Sequence, residues 1–400
     1  MFSNPDAMQQ PHPITAPQRV SILGATGSIG ESTLRVIAQH PQRFTIAALT
    51  AQENADKLIA LARQFRPSLV AIGNAAHAAA VTSALAPLNI RVVAGAAGIE
   101  EAAAEAADIT VAAIVGAAGL VPVMRAIAQG KRVAIANKEA LVCAGQLVMA
   151  ACKTYGTALL PIDSEHNAIF QVLSAPQRTA VEKITLTASG GPLLRRPLAT
   201  MDAVTPAEAV KHPRWSMGAK ISVDSATMMN KGLELIEAHY LFDMPAEQID
   251  VLIHPESIIH SLVHYADGSV LAQLGMPDMA IPIAYALSWP ERIAVATPRL
   301  DLAATGALHF EPVEEARFPA LALARAALAQ GPAQMIALNA ANEIAVAQFL
   351  AGKIPFTAIA RIAARVVEQM EGAPISTITD VMEADAVARN RAKGASDAMV

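Results

Sequence analysis

The sequence predicts an α/β chain in three parts: a doubly wound parallel sheet, a central α+β domain and a C-terminal α-helical bundle. Three observations predict it. From Arg19 short apolar runs alternate with helix-like stretches, the pattern of a parallel sheet with crossover helices. After Asp163 the texture changes to strands separated by polar, motif-rich loops. From Glu314 onward the chain is alanine-rich and helical throughout.

The elements follow in order. Residues 1–18, broken by Pro5, Pro11, Pro13 and Pro17, read as a disordered extension without a signal pattern. Val20-Ser21-Ile22-Leu23 is the first strand, followed by Gly24-Ala25-Thr26-Gly27-Ser28-Ile29-Gly30 and a helix to about Gln39. Further strands are expected at Phe44–Leu49, Leu69–Ile72, Ile90–Val93, Ile109–Ala113, Arg132–Ala136 and Ala158–Leu160, closing a nucleotide-binding domain over 19–162. The domain over 163–290 holds strands at Lys183–Thr187 and Gly268–Ala272, and 291–313, with Pro298, Gly306 and Pro312, reads as a linker. Helices at Ala320–Gln330, Ala333–Leu350 and Thr357–Glu371 build the bundle over 314–400.

Composition removes whole function classes. The 400 residues are 53% hydrophobic and carry a formal charge of −5, which offers no basic field for nucleic acid. The mean hydropathy of +0.37 comes from alanine. The uncharged run Thr110–Met124 is too short for a ~20-residue membrane span. Cys143 and Cys152 lack metal-ligand spacing and read as core residues of a reducing compartment, so a soluble, cytoplasmic protein is expected.

The chemistry concentrates in a few motifs. Gly24, Gly27 and Gly30 after a strand and before a helix suit a pyrophosphate on a helix N-terminus, with the Thr26 and Ser28 hydroxyls in reach; this makes the first domain Rossmann-like. Gln52-Glu53-Asn54 ends the second strand, where an acidic residue ordinarily takes ribose hydroxyls, so Glu53 taken alone points to NAD or faces solvent. Asn137-Lys138-Glu139 at another strand end is either a ligand crevice or a helix start with a surface ion pair. Asp163 and Glu165 follow a strand. On extended backbone, positions two apart point to one side, which suits an oxygen-ligated magnesium or manganese ion.

Ser189-Gly190-Gly191-Pro192 is an anion-binding concavity or a plain turn. With a helix from Asn230, Asn230 and Glu234 share a face, Glu234 supplies a third metal oxygen, and Ser225, Asn230 and Lys231 suit a phosphate; otherwise Lys231 and Glu234 form a surface pair. Glu237 takes that bland surface reading. Lys211–Gly218, with His212, Trp215 and Met217, is either a mobile lid or an ordinary loop. His254 and His260 read as core supports.

Taken together, Leu23–Gly30, Ala136–Glu139, Asp163–Phe170, Lys220–Glu234 and Ala337–Glu343 closely resemble the 1-deoxy-D-xylulose 5-phosphate reductoisomerase family over Val20 to about Glu371. The resemblance implies NADPH and Mg2+ or Mn2+ as cofactors, with Asp163, Glu165 and Glu234 on the metal. It implies Lys138, Ser164, Glu165, Ser189, His212, Ser225, Asn230 and Lys231 at the substrate, and His212, Trp215 and Met217 in a lid. Thr26, Gly27, Ser28, Ile29, Gln52, Glu53, Asn54, Asn137, Glu139 and Gly218 match cofactor positions, although the family usually carries a basic residue where Glu53 stands. It further implies a homodimer. The reaction implied is a retro-aldol and aldol rearrangement followed by hydride reduction, with Lys138, Asp163, Glu165 and Glu234 as the catalytic set. A plain dehydrogenase explains the glycine turn but not the carboxylates. A dinucleotide-binding redox sensor would need no metal ligands, and a cysteine-thioester dehydrogenase lacks an activating histidine near either thiol in sequence.

Overall fold

The computed structural model describes residues 16–398 apart from 174, 216 and 373, so most of the expected N-terminal extension lies outside the described residues. The first unit runs β1 (Gln18–Leu23), α1 (Ser28–Ala38), β2 (Phe44–Ala51), α2 (Ala55–Phe65), β3 (Leu69–Ile72), α3 (Ala78–Leu85) and β4 (Arg91–Ala94). It continues with α4 (Gly95–Ala103), β5 (Ile109–Ala112), α5 (Leu120–Ile127), β6 (Arg132–Ile135), α6 (Lys138–Tyr155) and β7 (Ala158–Pro161). These seven strands form one parallel sheet in the order β4-β3-β2-β1-β5-β6-β7. Helices cover both faces, so inner strands such as β3 and β5 are buried along their whole length, which is why they read as unbroken apolar runs. The strand order reverses at β1, between β2 and β5, and a crevice opens beyond the carboxyl ends there.

The second unit runs α7 (Ser164–Val172), β8 (Val181–Ala188), α8 (Pro206–Ala209), α9 (Ala219–Thr227), α10 (Met229–Phe242), β9 (Ile249–Ile253), β10 (Ile259–Tyr265) and β11 (Val270–Leu274). α11 (Ala280–Ser288), α12 (Leu302–Thr305) and β12 (Glu311–Pro312) follow. Its sheet has the order β11-β10-β8-β9-β12, parallel only between β8 and β9. α11 turns back onto the first unit: Ile283, Ala284, Ala286 and Leu287 share a core with Val20, Ile22 and Leu49. The following segment also touches both units, through His40 Nε2 to the Ala294 carbonyl (2.7 Å) at one end and β12 against β9 at the other. α13 (Pro319–Gln330), α14 (Pro332–Leu350), α15 (Ala358–Gln369) and α16 (Ile378–Asp397) form the C-terminal helices. They share a core with Val223, Ala226, Met229 and Leu233 of α9 and α10.

Two local readings of the sequence are corrected. Residues 163–165 are not an extended pair: Asp163 is the N-cap of α7, accepting the Ser164 N–H at 3.1 Å, and Glu165 lies in the first helical turn. An aspartate cap with a glutamate in the first turn suits a helix N-terminus, where the dipole favours negative charge. Glu237 is not on the surface; it is 1% exposed, because α10 packs between α6 and α13 and buries nearly every side.

A carboxylate and lysine cluster beside the glycine turn

The glycine turn is shaped by close backbone contact. Gly24 has φ +90°, and a Cβ there would lie 2.6 Å from the Ala113 carbonyl oxygen, so no side chain fits. Gly27 caps α1, whose N-terminus with Ser28 and Ile29 forms one wall of a cavity of about 420 Å³. The cavity also takes in Lys138, Glu139, Asp163, Ser164, Glu165 and Ser189, then His212, Trp215, Met217, Gly218, Ser225, Asn230, Lys231 and Glu234.

Thr26, Gln52, Glu53, Asn54 and Asn137 lie outside its lining. Asn54 caps α2 by accepting the Lys57 N–H at 3.1 Å. Glu53 is 64% exposed and accepts the Asn74 amide at 2.7 Å. Asn137 supports the wall: its Nδ2 donates to the Ile114 (2.7 Å) and Gly116 (3.0 Å) carbonyls, and its Oδ1 caps α6.

Met228 makes the cluster possible. It sits between α9 and α10 in the left-handed region at φ 62°, breaking what would be one long helix into two. Asn230, Lys231 and Glu234 at the start of α10 then meet Lys138 of α6 and the first turn of α7. Lys138 Nζ donates to Asp163 Oδ2 (2.5 Å), Asn230 Oδ1 (2.8 Å) and Glu234 Oε1 (3.3 Å). Lys231 Nζ donates to Glu165 Oε1 (2.8 Å) and to Glu234 Oε2. Carboxylate oxygens of Asp163, Glu165 and Glu234 lie within 4.8 Å of one another.

Three carboxylates, Glu234 fully buried and Asp163 and Glu165 partly so, face two buried ammonium groups, and their proton affinities separate accordingly. Burial works to raise Asp163, but the Lys138 ammonium outweighs it and holds the carboxyl down at about 2. Glu234 is pushed up to about 7, first by burial and then by the Glu165 charge. Burial alone would discharge both lysines; the carboxylates reverse that and hold them protonated. The oxygens form a hard donor set fit for Mg2+ or Mn2+.

Across the cavity Ser189 Oγ lies 2.9 Å from His212 Nε2 and accepts the Gly191 N–H at 3.1 Å. His212 Nδ1 accepts the backbone N–H groups of Arg214 (3.2 Å) and Trp215 (2.9 Å), so the ring is neutral with its proton on Nε2. Burial pushes its pKa down to about 4. The Trp215 ring stands 6.3 Å from His260, centroid to centroid, and helps roof the cavity.

Sequence reasoning passed over several groups here. Lys220 lines the cavity and bonds Asp224 (2.8 Å) four residues on; that i,i+4 spacing was its available signal. His166 and Glu237 sit behind the carboxylates, fully buried, and burial pushes Glu237 up to about 7.

A parallel sheet whose switch point opens onto a glycine turn, beside convergent carboxylates, defines a nucleotide-dependent oxidoreductase with a cation-ready substrate site. The family model for 1-deoxy-D-xylulose 5-phosphate reductoisomerase matches residues 20–145, and two models for C-terminal domains of that enzyme match 159–242 and 274–391. A protein of that name from Paraburkholderia xenovorans is 54% identical over 94% of this chain and 95% of its own length. One from Burkholderia pseudomallei is 53% identical over 94% and 96%. Among solved structures, the Zymomonas mobilis enzyme in complex with NADPH superposes with a TM-score of 0.90 at 46% identity, covering 95% of this chain and 99% of that one. A reductoisomerase in complex with NADPH, fosmidomycin and magnesium gives 0.90 at 47% identity, covering 95% and 98%. The chain belongs to the 1-deoxy-D-xylulose 5-phosphate reductoisomerase family. Among the described residues no helix is long and apolar enough to cross a membrane.

Proposed function

We propose that this chain converts 1-deoxy-D-xylulose 5-phosphate and NADPH, with a proton, into 2-C-methyl-D-erythritol 4-phosphate and NADP+, a rearrangement of the carbon skeleton followed by reduction of an aldehyde. The observation that carries this reading is the trio Asp163, Glu165 and Glu234 in one cavity with the glycine turn. Those three residues would hold Mg2+ or Mn2+, which supplies Lewis acidity toward the substrate's carbonyl and hydroxyl oxygens. NADPH supplies the hydride.

The chain's own groups do the rest. The N-terminus of α1 receives the cofactor's pyrophosphate on its free N–H groups. Lys138, held cationic, faces negative charge that develops on a substrate oxygen. Ser189, Ser225, Asn230 and Lys231 would serve as donors for the phosphate, and neutral His212, its Nε2–H on Ser189 Oγ, leaves the Ser189 hydroxyl hydrogen to point to substrate. Phosphate binding, remote from the bonds that change, orients the reacting end and draws residues 211–218, with Trp215 and Met217, over it to exclude water. Glu53 leans toward Asn74, which leaves the ribose 2′-phosphate of NADPH less opposed than a free carboxylate would.

A homodimer is part of this proposal. β11 is a free sheet edge and exposes Val270, Leu271 and Leu274, an apolar edge suited to a second copy of the chain.

The test is turnover of the purified chain with the pentulose phosphate, NADPH and Mn2+. NADPH oxidation with formation of the branched polyol phosphate is expected. An unbranched reduction product, or undiminished turnover after chelation, would overturn the proposal.

A further inference from the structure

His166 and Glu237 form a buried pair that the reaction above does not use. His166, in the first half of α7, is 0% exposed, and Glu237, on α10, is 1% exposed. His166 Nε2 stands 2.8 Å from the backbone carbonyl of Glu234. A carbonyl can only accept, so that nitrogen carries a hydrogen. Nδ1 lies 3.2 Å from Glu237 Oε2. Neither Nδ1 nor either Glu237 oxygen has a partner that satisfies hydrogen-bond geometry. The 3.2 Å approach sets the Glu237 carboxylate directly against Nδ1 in a fully buried position, where a polar group is held by the polar group that faces it. The imidazole thus spans two successive turns of α10, holding the backbone at 234 on one side and the side chain of 237 on the other.

The same span fixes the width of the metal site. Asp163 and Glu165 come from the start of α7, and Glu234 from α10. Asp163 belongs to two convergent groups at once, one with Glu165 and Glu234 and the other with His166 and Glu237. Any slip between α7 and α10 therefore changes the separation of the three oxygens, and small hard cations tolerate little change of geometry.

We propose that Glu237 is a positioning residue: by holding His166 it sets the spacing of α7 and α10, and with it the cation affinity of Asp163, Glu165 and Glu234. This rests on the reading of those three residues as metal ligands. Groups that orient ligands from behind typically change metal affinity about 10–100-fold when removed.

The test is Mn2+ binding to the full-length, NADPH-loaded chain, followed by electron paramagnetic resonance, for wild type, Glu237→Leu and Glu237→Gln. The leucine variant should bind Mn2+ about 10–100-fold more weakly with an unchanged NADPH dissociation constant. The glutamine variant should recover most of the affinity, since its amide N–H can donate to Nδ1 while Nε2–H still reaches the Glu234 carbonyl. Unaltered Mn2+ affinity in a leucine variant that still binds NADPH would overturn the inference. So would a glutamine variant as weak as leucine, which would make charge rather than position the requirement. Two Mn2+ per wild-type chain, one lost in Glu237→Gln, would make Glu237 a ligand instead. A wild type that binds no Mn2+ would bring down the ligand reading itself, a result distinct from the others. Should the leucine variant fail to fold, His166→Gln decides: the same weakening of Mn2+ binding with an unchanged NADPH dissociation constant is expected, and wild-type Mn2+ affinity would overturn the proposal.

Discussion

Two regions of this molecule bury charge, and they do so differently. At the cavity, Asp163, Glu165 and Glu234 converge to within 4.8 Å with Lys138 and Lys231 among them. Where α9 lines another wall of that cavity and meets the C-terminal helices, a seam forms: Lys220 bonds Asp224 (2.8 Å) and lies 3.4 Å from Glu139. Asn342 donates to Asp224 (2.8 Å), and Arg389 pairs with Glu343 (2.5 Å) and Asp385 (2.6 Å). Both regions hold more carboxylates than cations, so charge count does not tell them apart. Geometry does: at the seam the carboxylates are strung out in pairs along Lys220 and Arg389, while at the cavity the oxygens of three carboxylates face one another. Convergence invites a ligand; a chain of pairs joins helices.

The largest test of that contrast is Asp163→Asn, which should lower kcat/KM on the order of 10³-fold or more while leaving the NADPH dissociation constant near wild type. Substantial activity at saturating Mn2+ would erase the distinction. Lys231→Ala should raise KM for the phosphorylated substrate about 10²-fold; an unchanged KM would remove the lysine from phosphate binding. On the other side, Arg389→Ala should cost about 2–3 kcal/mol of stability in denaturant titration, by stranding the buried Asp385 and leaving Glu343 with the Asn339 amide alone, yet leave Mn2+ affinity unchanged. Glu53→Lys, outside both regions, should favour NADPH over NADH by about tenfold more than wild type, read as a ratio of kcat/KM values.

The smallest effect concerns pH. Burial sets His212 at about 4 in the folded chain, against about 6.5 for an ordinary histidine. The unfolded chain therefore takes up the proton first, and His212 contributes stability above 6.5 that is lost as pH falls toward 4. Thermal melts of His212→Gln should show a flatter rise across that window; an unchanged slope would mean the ring is not held neutral.

The first sheet was readable because strands buried on both faces leave unbroken apolar runs, and Leu69–Ile72 is bounded as the sequence predicts. The C-terminal helices were readable from length and alanine content. The second sheet was less so: β9 and β10 mix polar and apolar residues, with Asp250, His260 and His264 among them. At the site, residue types announced the chemistry, but the route to convergence was misread. Asp-Ser-Glu serves a helix start as well as a strand end, and only tertiary packing chooses. Glu237 was hidden for a related reason. A glutamate ordinarily marks a solvated helix face, and α10 lacks one over most of its length because neighbours enclose it.

The left-handed residue at Met228 carries a consequence for how this segment can vary. Each residue of a helix turns the chain by about 100°. Adding or deleting one residue between Thr227 and Asn230 would swing Asn230, Lys231 and Glu234 together away from Lys138, whereas replacing the buried Met228 or Met229 by another apolar side chain leaves the phase of α10 unchanged. The stretch joining the two helices should therefore accept changes of letter far more readily than changes of length.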